Sequence, residues 1–412
     1  MSYSLHSTSS GPEVCAVTRE PATEWLSVDC SDIAVSAEVG RFRGADGVVE
    51  CHVTVRLDGS AEDPLETLAQ GYRRALVVAE TTVESAVFRR VFCSDVLNQQ
   101  GGLDKEAMDR LLGAAGACAD SLIGQTPVPA AKYALWAYHV RDPAQPLEFV
   151  QECNAVSWRR DGLTHHWATG CISPAVPDSH GQTHAVLEQY NRWIESKGMT
   201  MADAVVRTWW YVQNIDADYQ GLVDARREYF DTHGLTAETH YIASTGIEGA
   251  PAHVDARVGL DAYAVAGLRA EQVEFVNAYD HLGPTHDYGV TFERATAVGY
   301  ADRRQVFISG TASINPAGEI LHAGDVVGQF GRTLENIEAL LHAAKAGLED
   351  LASILVYLRD AADGAVVEAL LHERLSGVPY VMVEAPVCRP GWLIEIEGIA
   401  VVAADAPDLP GF

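Results

Sequence analysis

The sequence has few basic residues and no basic cluster. Its 412 residues include 29 Lys and Arg against 57 Asp and Glu, which gives a formal charge of −28. A chain of this charge repels phosphate backbones, so nucleic acid is not an expected partner. The sequence also has no apolar run that approaches the length of a bilayer and no apolar signal segment at its start. No membrane association is therefore expected.

Cysteine pairs and metal-ligand spacings are also missing. The eight cysteines are scattered, without a Cys-x-x-Cys pair, which is typical of a reduced cytoplasmic protein. The histidines do not fall into a spacing such as His-Glu-x-x-His. Those considered are His165, His166, His180, His184 and His286. The sequence thus predicts neither a metal nor an organic cofactor.

What the chain does contain is a pattern that occurs three times. Each copy consists of an amphipathic helix, an apolar strand, a second helix and closing strands. The helix-to-strand spacing is 23 or 24 residues in each copy. The paired positions are Leu68 and Phe92, Leu187 and Tyr211, and Leu334 and Tyr357. Repetition over this length predicts three similar domains rather than a solenoid of short units.

The pattern also predicts the boundaries. Residues 1–27 are rich in Ser, Thr, Pro and Glu, and we expect a poorly ordered lead-in there. The three domains are predicted at 28–150, 151–273 and 274–412. Helices are predicted at Leu65–Glu80, Asp104–Ser121, Thr183–Lys197 and Thr333–Ala346.

Helices on one face of a small mixed sheet make an α+β domain, whose other sheet face is left apolar. Three copies in one chain can cover one another's open faces. The sequence therefore predicts a closed assembly with pseudo-threefold symmetry within a single chain, and hence a monomer. Clefts are expected where neighbouring domains meet.

The terminal strand carries the first candidate for chemistry. In Ala385–Val401 the alternation of Ile394, Glu395, Ile396 and Glu397 places two isoleucines on one face and two carboxylates on the other. A solvated sheet face is the simple explanation. If Glu395 instead points into an apolar cleft, burial raises its pKa and makes it a general acid.

Two arginines and two tyrosines are candidates for binding a small anionic organic substrate. Arg207 and Arg359 are expected at equivalent places in the second and third copies, and an Arg suits a carboxylate because its planar fork makes two hydrogen bonds. Each is alternatively the partner of a surface acid such as Asp360. Tyr211 and Tyr357 share the same strands and either donate to substrate or belong to the core.

The third copy resembles the Rid (YjgF-like) family, which has a chorismate-mutase-like fold and forms homotrimers with active sites between subunits. The matching stretches are Phe307–Ile314, Thr333–Leu341, Val356–Asp360 and Cys388–Ala400. Simple Rid deaminases carry an Arg shortly after a Pro ahead of the last strands. The corresponding stretch Val378–Met382 has no Arg.

The second and third copies together resemble the chorismatases, which hydrolyse the enolpyruvyl ether of chorismate. The matching stretches are Arg207–Val212, Ala243–Gly249, Phe292–Thr296, His322–Gln329 and the final Ile-Glu-Ile-Glu-Gly. The resemblance implies that Glu395 is the proton donor. It also implies that Gly310 and Cys388 bias the product, in this combination towards 3-hydroxybenzoate.

The chain departs from the chorismatase pattern in two places. No Arg follows Gly283-Pro284, and the first copy is additional. Gly310 alternatively provides room for close packing, and Cys388 is alternatively a small buried thiol. Only the third copy ends in Ile-Glu-Ile-Glu, so one working cleft is predicted.

Three functions remain open from the sequence. The first is a chorismatase-like enzyme that releases pyruvate from chorismate or a related cyclohexadienyl acid. The second is a Rid-like biosynthetic enzyme that acts on an enamine, an imine or another activated intermediate. The third is a small-molecule-binding protein without catalytic activity.

Overall fold

The computed structural model describes residues 22–59, 61–103, 105–113 and 117–412. Within these ranges the strands form three sheets, of seven, six and seven strands. Helices pack against each sheet, so the predicted α+β class is confirmed. Among the helices of these ranges, none is both long and apolar enough to span a bilayer.

The elements follow one another in three groups. The first group is β1 (Thr23–Ser27), β2 (Val35–Arg43), β3 (Val49–Leu57), α1 (Pro64–Val78), β4 (Ala86–Cys93), α2 (Val96–Gln99), α3 (Lys105–Leu112), β5 (Ala119–Gly124), β6 (Thr126–Pro127) and β7 (Tyr133–Arg141). The second is β8 (Phe149–Glu152), β9 (Ala155–Arg160), β10 (Leu163–Cys171), α4 (Ser179–Ser196), α5 (Met201–Ala204), β11 (Val205–Val212), α6 (Ile215–Thr232), β12 (Ala243–Glu248), β13 (Ala250–Pro251) and β14 (Val258–Ala266). The third is β15 (Val273–Val276), β16 (Ala295–Gly299), β17 (Arg303–Ala312), α7 (Val326–Ala343), β18 (Leu351–Leu358), α8 (Gly364–Arg374), β19 (Tyr380–Glu384) and β20 (Ile394–Ala403).

The three sheets share one strand order. It is β1-β2-β3-β7-β4-β5 in the first, β8-β9-β10-β14-β11-β12 in the second and β15-β16-β17-β20-β18-β19 in the third. The last strand of each group is antiparallel to both neighbours, and the outer pair at one edge of each sheet is parallel. The repeat read from the sequence is thus a repeat of topology.

The register identifies equivalent residues in the three units. The predicted repeat positions Phe92, Tyr211 and Tyr357 each lie opposite the last strand at the same point of the ladder. Their partners there are Ala134, Gly259 and Glu395. A carboxylate therefore stands at this position only in the third unit.

The main helix of each unit begins in the same way. An Asp precedes each of α1, α4 and α7, and its carboxylate accepts a hydrogen bond from the backbone N–H three residues later. The capping residues are Asp63, Asp178 and Asp325. Such a cap satisfies a backbone donor that the first helical turn leaves without a partner.

In each sheet, one of the two strands that pair with the last strand of the unit is buried along its whole length. This holds for every residue of β4, β11 and β18. One face of each sheet packs on its own helices, and the other faces meet in a shared aromatic core. That core includes Phe88, Trp136, Trp167, Trp209 and Tyr263, which form a chain of ring contacts.

The sheet edges are joined in a closed cycle. The strand β6 of the first group extends the third sheet at β19, and β13 of the second group extends the first sheet at β5. Val387 of the third group forms a bridge with Ile247 at the edge strand of the second sheet. The residues after the edge strand of each unit thus pair with the sheet of a neighbouring unit. This pairing covers backbone groups that would otherwise be unpaired at the sheet edge.

Two predictions about local structure need correction. The predicted lead-in extends to residue 27, but Thr23–Ser27 is strand β1; residues 1–21 lie outside the described part of the chain. The helix predicted at Asp104–Ser121 is too long, because α3 ends at Leu112 and Ala119 begins strand β5. Residues 104 and 114–116 of that stretch are not described.

Candidate active site

A cavity lies where the second and third sheets meet. The second unit contributes α6 and the edge strand β12, and the third unit contributes β17, β20 and the segments before β16 and after β19. Two direct hydrogen bonds fix the boundary: Ser244 N–H donates to Ser309 Oγ at 2.8 Å, and Gly310 N–H donates to Thr245 Oγ1 at 2.9 Å. The cavity is therefore an interface feature that neither unit forms alone.

The structure places Glu395 in this cavity. The residue lies on β20 opposite Tyr357 of β18 and is 6% exposed. Burial raises the pKa of its carboxyl to about 8; the negative charge of Glu397 acts in the same direction, whereas Arg207 and Arg294 oppose it. Glu395 is consequently a protonated acid at neutral pH, as a general acid requires.

Gly310 leaves room for the Glu395 carboxyl. It lies at an irregularity in the pairing of β17 with β20. A Cβ atom at Gly310 would lie 2.2 Å from Glu395 Oε1 and 2.8 Å from its Cδ. A larger residue at position 310 would therefore displace the Glu395 carboxyl. The absence of a side chain at Gly310 thus allows the acid to occupy its position.

Cys388 forms part of the wall beside Glu395. Burial raises the pKa of its thiol to about 12, while a hydrogen bond with Tyr219 of α6 acts in the opposite direction. The thiol is thus protonated at neutral pH and is a poor nucleophile. Its contribution is to the shape of the cavity.

Arg226 of α6 lines the cavity, and its positive charge is not offset by an ion pair with any described residue. It is 2% exposed, and its Nε and Nη1 donate to Thr291 Oγ1 at 3.2 Å and to Ser244 Oγ at 3.4 Å. Its Nη2 has no hydrogen-bond partner among the described residues. A guanidinium with a free donor in a cavity is a site for a carboxylate of a bound molecule.

Arg294 and Arg389 add two further cations. Arg294 is 5% exposed and donates to the carbonyl of Gly283 at 3.3 Å and to the hydroxyl of Tyr288, while its Nε has no partner among the described residues. Arg389 donates to the carbonyl of Gly318 at 3.0 Å. Like Arg226, neither forms an ion pair with any carboxylate of the described residues.

Four predicted binding residues lie elsewhere. Arg207 is 1% exposed and pairs with Glu397 at 2.6 Å behind the cavity wall. Tyr211 and Tyr357 are buried beside this pair in the core between the sheets. Arg359 pairs with Asp216 of α6 at 2.9 Å, outside the cavity. None of these four side chains lines the Glu395 cavity, and their binding of substrate stays a prediction.

The predicted equivalence of the two arginines is also wrong. Arg207 lies within β11 opposite Tyr263, the ladder position that Ser353 has in the third unit. Arg359 follows the end of β18, where its backbone N–H donates to the carbonyl of Leu393. The matching residue of the second unit is Gln213.

Sequence reasoning missed the three arginines that do line the cavity. Arg226 lies on the buried face of α6, with Leu222, Val223 and Phe230. An arginine at an apolar position of an amphipathic helix is the signal that was available. Arg294 and Arg389 belong to the motifs Phe-Glu-Arg-Ala-Thr and Cys-Arg-Pro-Gly-Trp, whose arginines were not singled out. Among the described residues no three His, Cys, Asp or Glu side chains converge in a way that would hold a metal ion.

Comparison with known proteins gives the family. The family model described as Endoribonuclease L-PSP matches residues 294–402. A chorismatase of Streptomyces rapamycinicus is 32% identical over 249 residues, which are 54% of this chain and 72% of that protein. The chain belongs to the chorismatase family of Rid-like proteins.

Further relatives agree with this assignment. A 3-hydroxybenzoate synthase of Streptomyces hygroscopicus is 28% identical over 296 residues, 64% of this chain and 84% of that protein. A solved chorismatase structure has a TM-score of 0.59 and covers 77% of this chain and 93% of its own, at 20% identity, so it supports the fold. The resemblance that the motifs indicated is thus confirmed for the family.

The buried acid of this chorismatase-family protein predicts an unusual pH dependence of stability. Between the ordinary pKa of 4.5 and about 8, the unfolded chain has lost the Glu395 proton while the native chain keeps it, so stability falls as pH rises. Glu395→Gln removes this penalty. The variant should gain about 1 kcal/mol near pH 5 and about 3 kcal/mol near pH 7 relative to the original protein, measured by urea denaturation.

Glu188, whose side chain is 46% exposed, serves as the matched control. Glu188→Gln should change the free energy of unfolding by less than about 0.5 kcal/mol at either pH. A gain for Glu395→Gln that is the same at pH 5 and pH 7 would show that Glu395 is not a buried acid with a raised pKa.

Proposed function

We propose that this protein hydrolyses the enolpyruvyl ether of chorismate, or of a related cyclohexadienyl acid, with release of pyruvate. One observation carries the proposal: a protonated carboxyl group, Glu395, lies in a cavity with three arginines that form no ion pairs with described residues. The names of the chorismatase and 3-hydroxybenzoate synthase relatives support the same chemistry.

The reaction needs an acid and no cofactor. Glu395 would donate its proton to the methylene carbon of the enol ether, which leaves an oxocarbenium ion and a carboxylate. Water adds to the oxocarbenium carbon and loses a proton, and the hemiketal breaks its bond to the ring oxygen. The products are pyruvate and a ring alcohol, so one water is consumed.

The arginines suit a substrate with two carboxylates. Each carboxylate prefers a guanidinium, because the planar fork makes two charge-assisted hydrogen bonds. Arg226 of the second unit and Arg294 and Arg389 of the third line the cavity from different sides. They supply cations although no Arg follows Gly283-Pro284, where the family pattern has one.

Gly310 and Cys388 favour 3-hydroxybenzoate as the ring product. In this route a hydroxyl of the ring, rather than water, captures the oxocarbenium carbon, and the ring becomes aromatic as pyruvate leaves. Chorismate is then divided into 3-hydroxybenzoate and pyruvate without net consumption of water. The proximity of Gly310 to the Glu395 carboxyl and the influence of Glu395 on the Cys388 thiol support this role.

We further propose that the three units form a pseudo-threefold assembly within one chain. The common strand order and the cyclic exchange of edge residues support this arrangement. Because the exchange closes on itself, the protein should be a monomer. Light scattering should give the mass of one chain, 44.4 kDa; a particle of three chains would contradict the proposal.

The proposed reaction is tested with chorismate and a pyruvate-coupled assay, with chromatography of the ring product. The original protein should release pyruvate and form 3-hydroxybenzoate. Glu395→Gln should lower kcat by about 10²- to 10⁴-fold, because a general acid contributes that much. The rate should fall as pH rises past about 8, where Glu395 loses its proton.

Two results would contradict the assignment. Absence of pyruvate at high enzyme concentration would exclude chorismate as substrate, and an enamine or imine, or binding without catalysis, would become the leading alternative. A fully active Glu395→Gln variant would remove the proposed acid while leaving the substrate in place.

Adjacent arginines on α6 allow a matched test of substrate binding. Arg226 faces the cavity, whereas Arg227 is 45% exposed and pairs with Asp224. Arg226→Gln should raise KM for chorismate by about 10- to 100-fold, because it removes a charge-assisted hydrogen bond. Arg227→Gln should leave KM unchanged. Equal effects of the two substitutions would argue against carboxylate binding by Arg226.

A further inference from the structure

The second carboxylate of β20 is held in a different way from the first. Glu397 is 3% exposed and lies two residues after Glu395 on the same strand face. It accepts hydrogen bonds from Arg207 Nη2 at 2.6 Å, from Trp209 Nε1 at 2.8 Å and from the hydroxyl of Thr245. All three donors belong to the second unit, so these hydrogen bonds fix the Glu397 side chain across the interface.

Two of these donors, Arg207 and Thr245, also connect Glu397 with the cavity. Thr245 Oγ1 accepts from Gly310 N–H at 2.9 Å and from Arg207 Nη2 at 2.5 Å. Gly310 in turn lies against the Glu395 carboxyl. A continuous set of contacts therefore connects the buried ion pair with the backbone that fits around the acid.

The groups that face Glu395 come from every element packed around it. On the cavity side are Arg226 and Tyr219 of α6, Arg294 before β16, and Cys388 and Arg389 after β19; on the core side are Glu397, Arg207 and Tyr357. Among these groups Glu397 carries the only negative charge. Without it, Arg207 and Arg294 would lower the pKa of the Glu395 carboxyl with no opposing negative charge among these groups.

We propose that Glu397, paired with Arg207, is a positioning residue for the reaction: the buried pair cancels the charge of Arg207 next to Glu395 and anchors the Gly310 backbone through Thr245. The inference rests on the proposed role of Glu395 as the acid. Arg207, expected from the sequence to bind substrate, instead acts through Glu397 from outside the cavity.

The pair controls the acid through charge. Loss of the Glu397 carboxylate alone removes a nearby negative charge and leaves Arg207 uncompensated, and both changes favour the ionised form of Glu395. At neutral pH the side chain would then lack the proton that it must donate. Loss of both members of the pair removes two opposing influences and leaves Glu395 nearly as it was.

Titration of Glu395 by NMR tests this without turnover. Protein with ¹³C-labelled glutamate carboxyl groups is titrated, and the Glu395 signal is identified by its loss in Glu395→Gln. Glu397→Gln should lower the Glu395 midpoint by about one pH unit or more. The double variant Arg207→Gln with Glu397→Gln should return it to within about half a pH unit of the original.

Trp209→Phe is the matched control, because it removes one neutral hydrogen bond to Glu397 and no charge. It should leave the Glu395 midpoint in place. In the variants that turn chorismate over, the alkaline limb of the kcat profile should move with the NMR midpoint, which a role confined to stability would not produce.

Two outcomes would overturn the inference. One is a folded Glu397→Gln variant, judged by circular dichroism, in which the Glu395 midpoint is unchanged. The other is a double variant whose midpoint is displaced by more than about one pH unit; this result decides the matter even if the single variant does not fold. Failure of the proposed function would appear separately, as absence of pyruvate with normal titration of Glu395.

Discussion

Each sheet in this protein has one face covered by its own helices and one apolar face that it cannot cover alone. The strands β4, β11 and β18 show how strictly this holds, because every one of their residues is buried. The three apolar sheet faces are buried against one another. The pairing of edge residues between neighbouring units covers the sheet edges. The position of the cavity follows from this pairing: the bridge between Val387 and Ile247 brings Cys388 and Arg389 to the second unit, next to Glu395.

Two buried carboxylates of this core form ion pairs with arginines. One equivalent position on the last strand of each unit is occupied by Trp136 in the first unit, Asp261 in the second and Glu397 in the third. Asp261 pairs with Arg90 at 2.9 Å and Glu397 with Arg207 at 2.6 Å, each across a boundary between units. Since a buried charge without a partner costs several kcal/mol, these pairs also fix which surfaces of the units can meet. Glu395 differs because it avoids the cost by keeping its proton.

Much of the fold could be predicted from the sequence, because helix and strand periods and their repeat spacing are local properties. The repeat positions Phe92, Tyr211 and Tyr357 do occupy one point of the ladder. Helix starts were less accurate: α7 begins at Val326, well before the predicted Thr333, because its start is set by the Asp325 cap and glycines interrupt the apolar pattern of its first two turns. The strand β5 was missed because the apolar, alanine-rich stretch before it suits a helix as well as a strand.

The candidate site shows the same difference. Some of its residues could be predicted from local sequence patterns, whereas others depend on the tertiary structure. The alternation in Ile394–Glu397 is local and was enough to single out Glu395. Which arginine faces that carboxyl depends on how two units dock, and no pattern within one unit contains it. Arg207 is an example: its strand is apolar and its position resembles that of a ligand-binding residue, yet the docking of β11 against β20 places Glu397 within 2.6 Å and makes it part of the core.

The proposed reaction requires an acid that is neutral before proton transfer and charged after it, and the charges around the cavity suit this requirement. In the proposed complex, a substrate with two carboxylates would offset two of the arginines Arg226, Arg294 and Arg389, and one positive charge would remain. Proton transfer to carbon creates an oxocarbenium cation and a Glu395 carboxylate together, so the total charge of the site does not change. The new carboxylate lies among cations that stabilise it, and it in turn offsets the cation formed on the substrate. In the proposed mechanism the pairing of Arg207 with Glu397 would limit the positive charge that favours ionisation of Glu395 before substrate is bound. On this proposal, the pair of Arg207 and Glu397 helps the acid to remain protonated in a cavity that three arginines line.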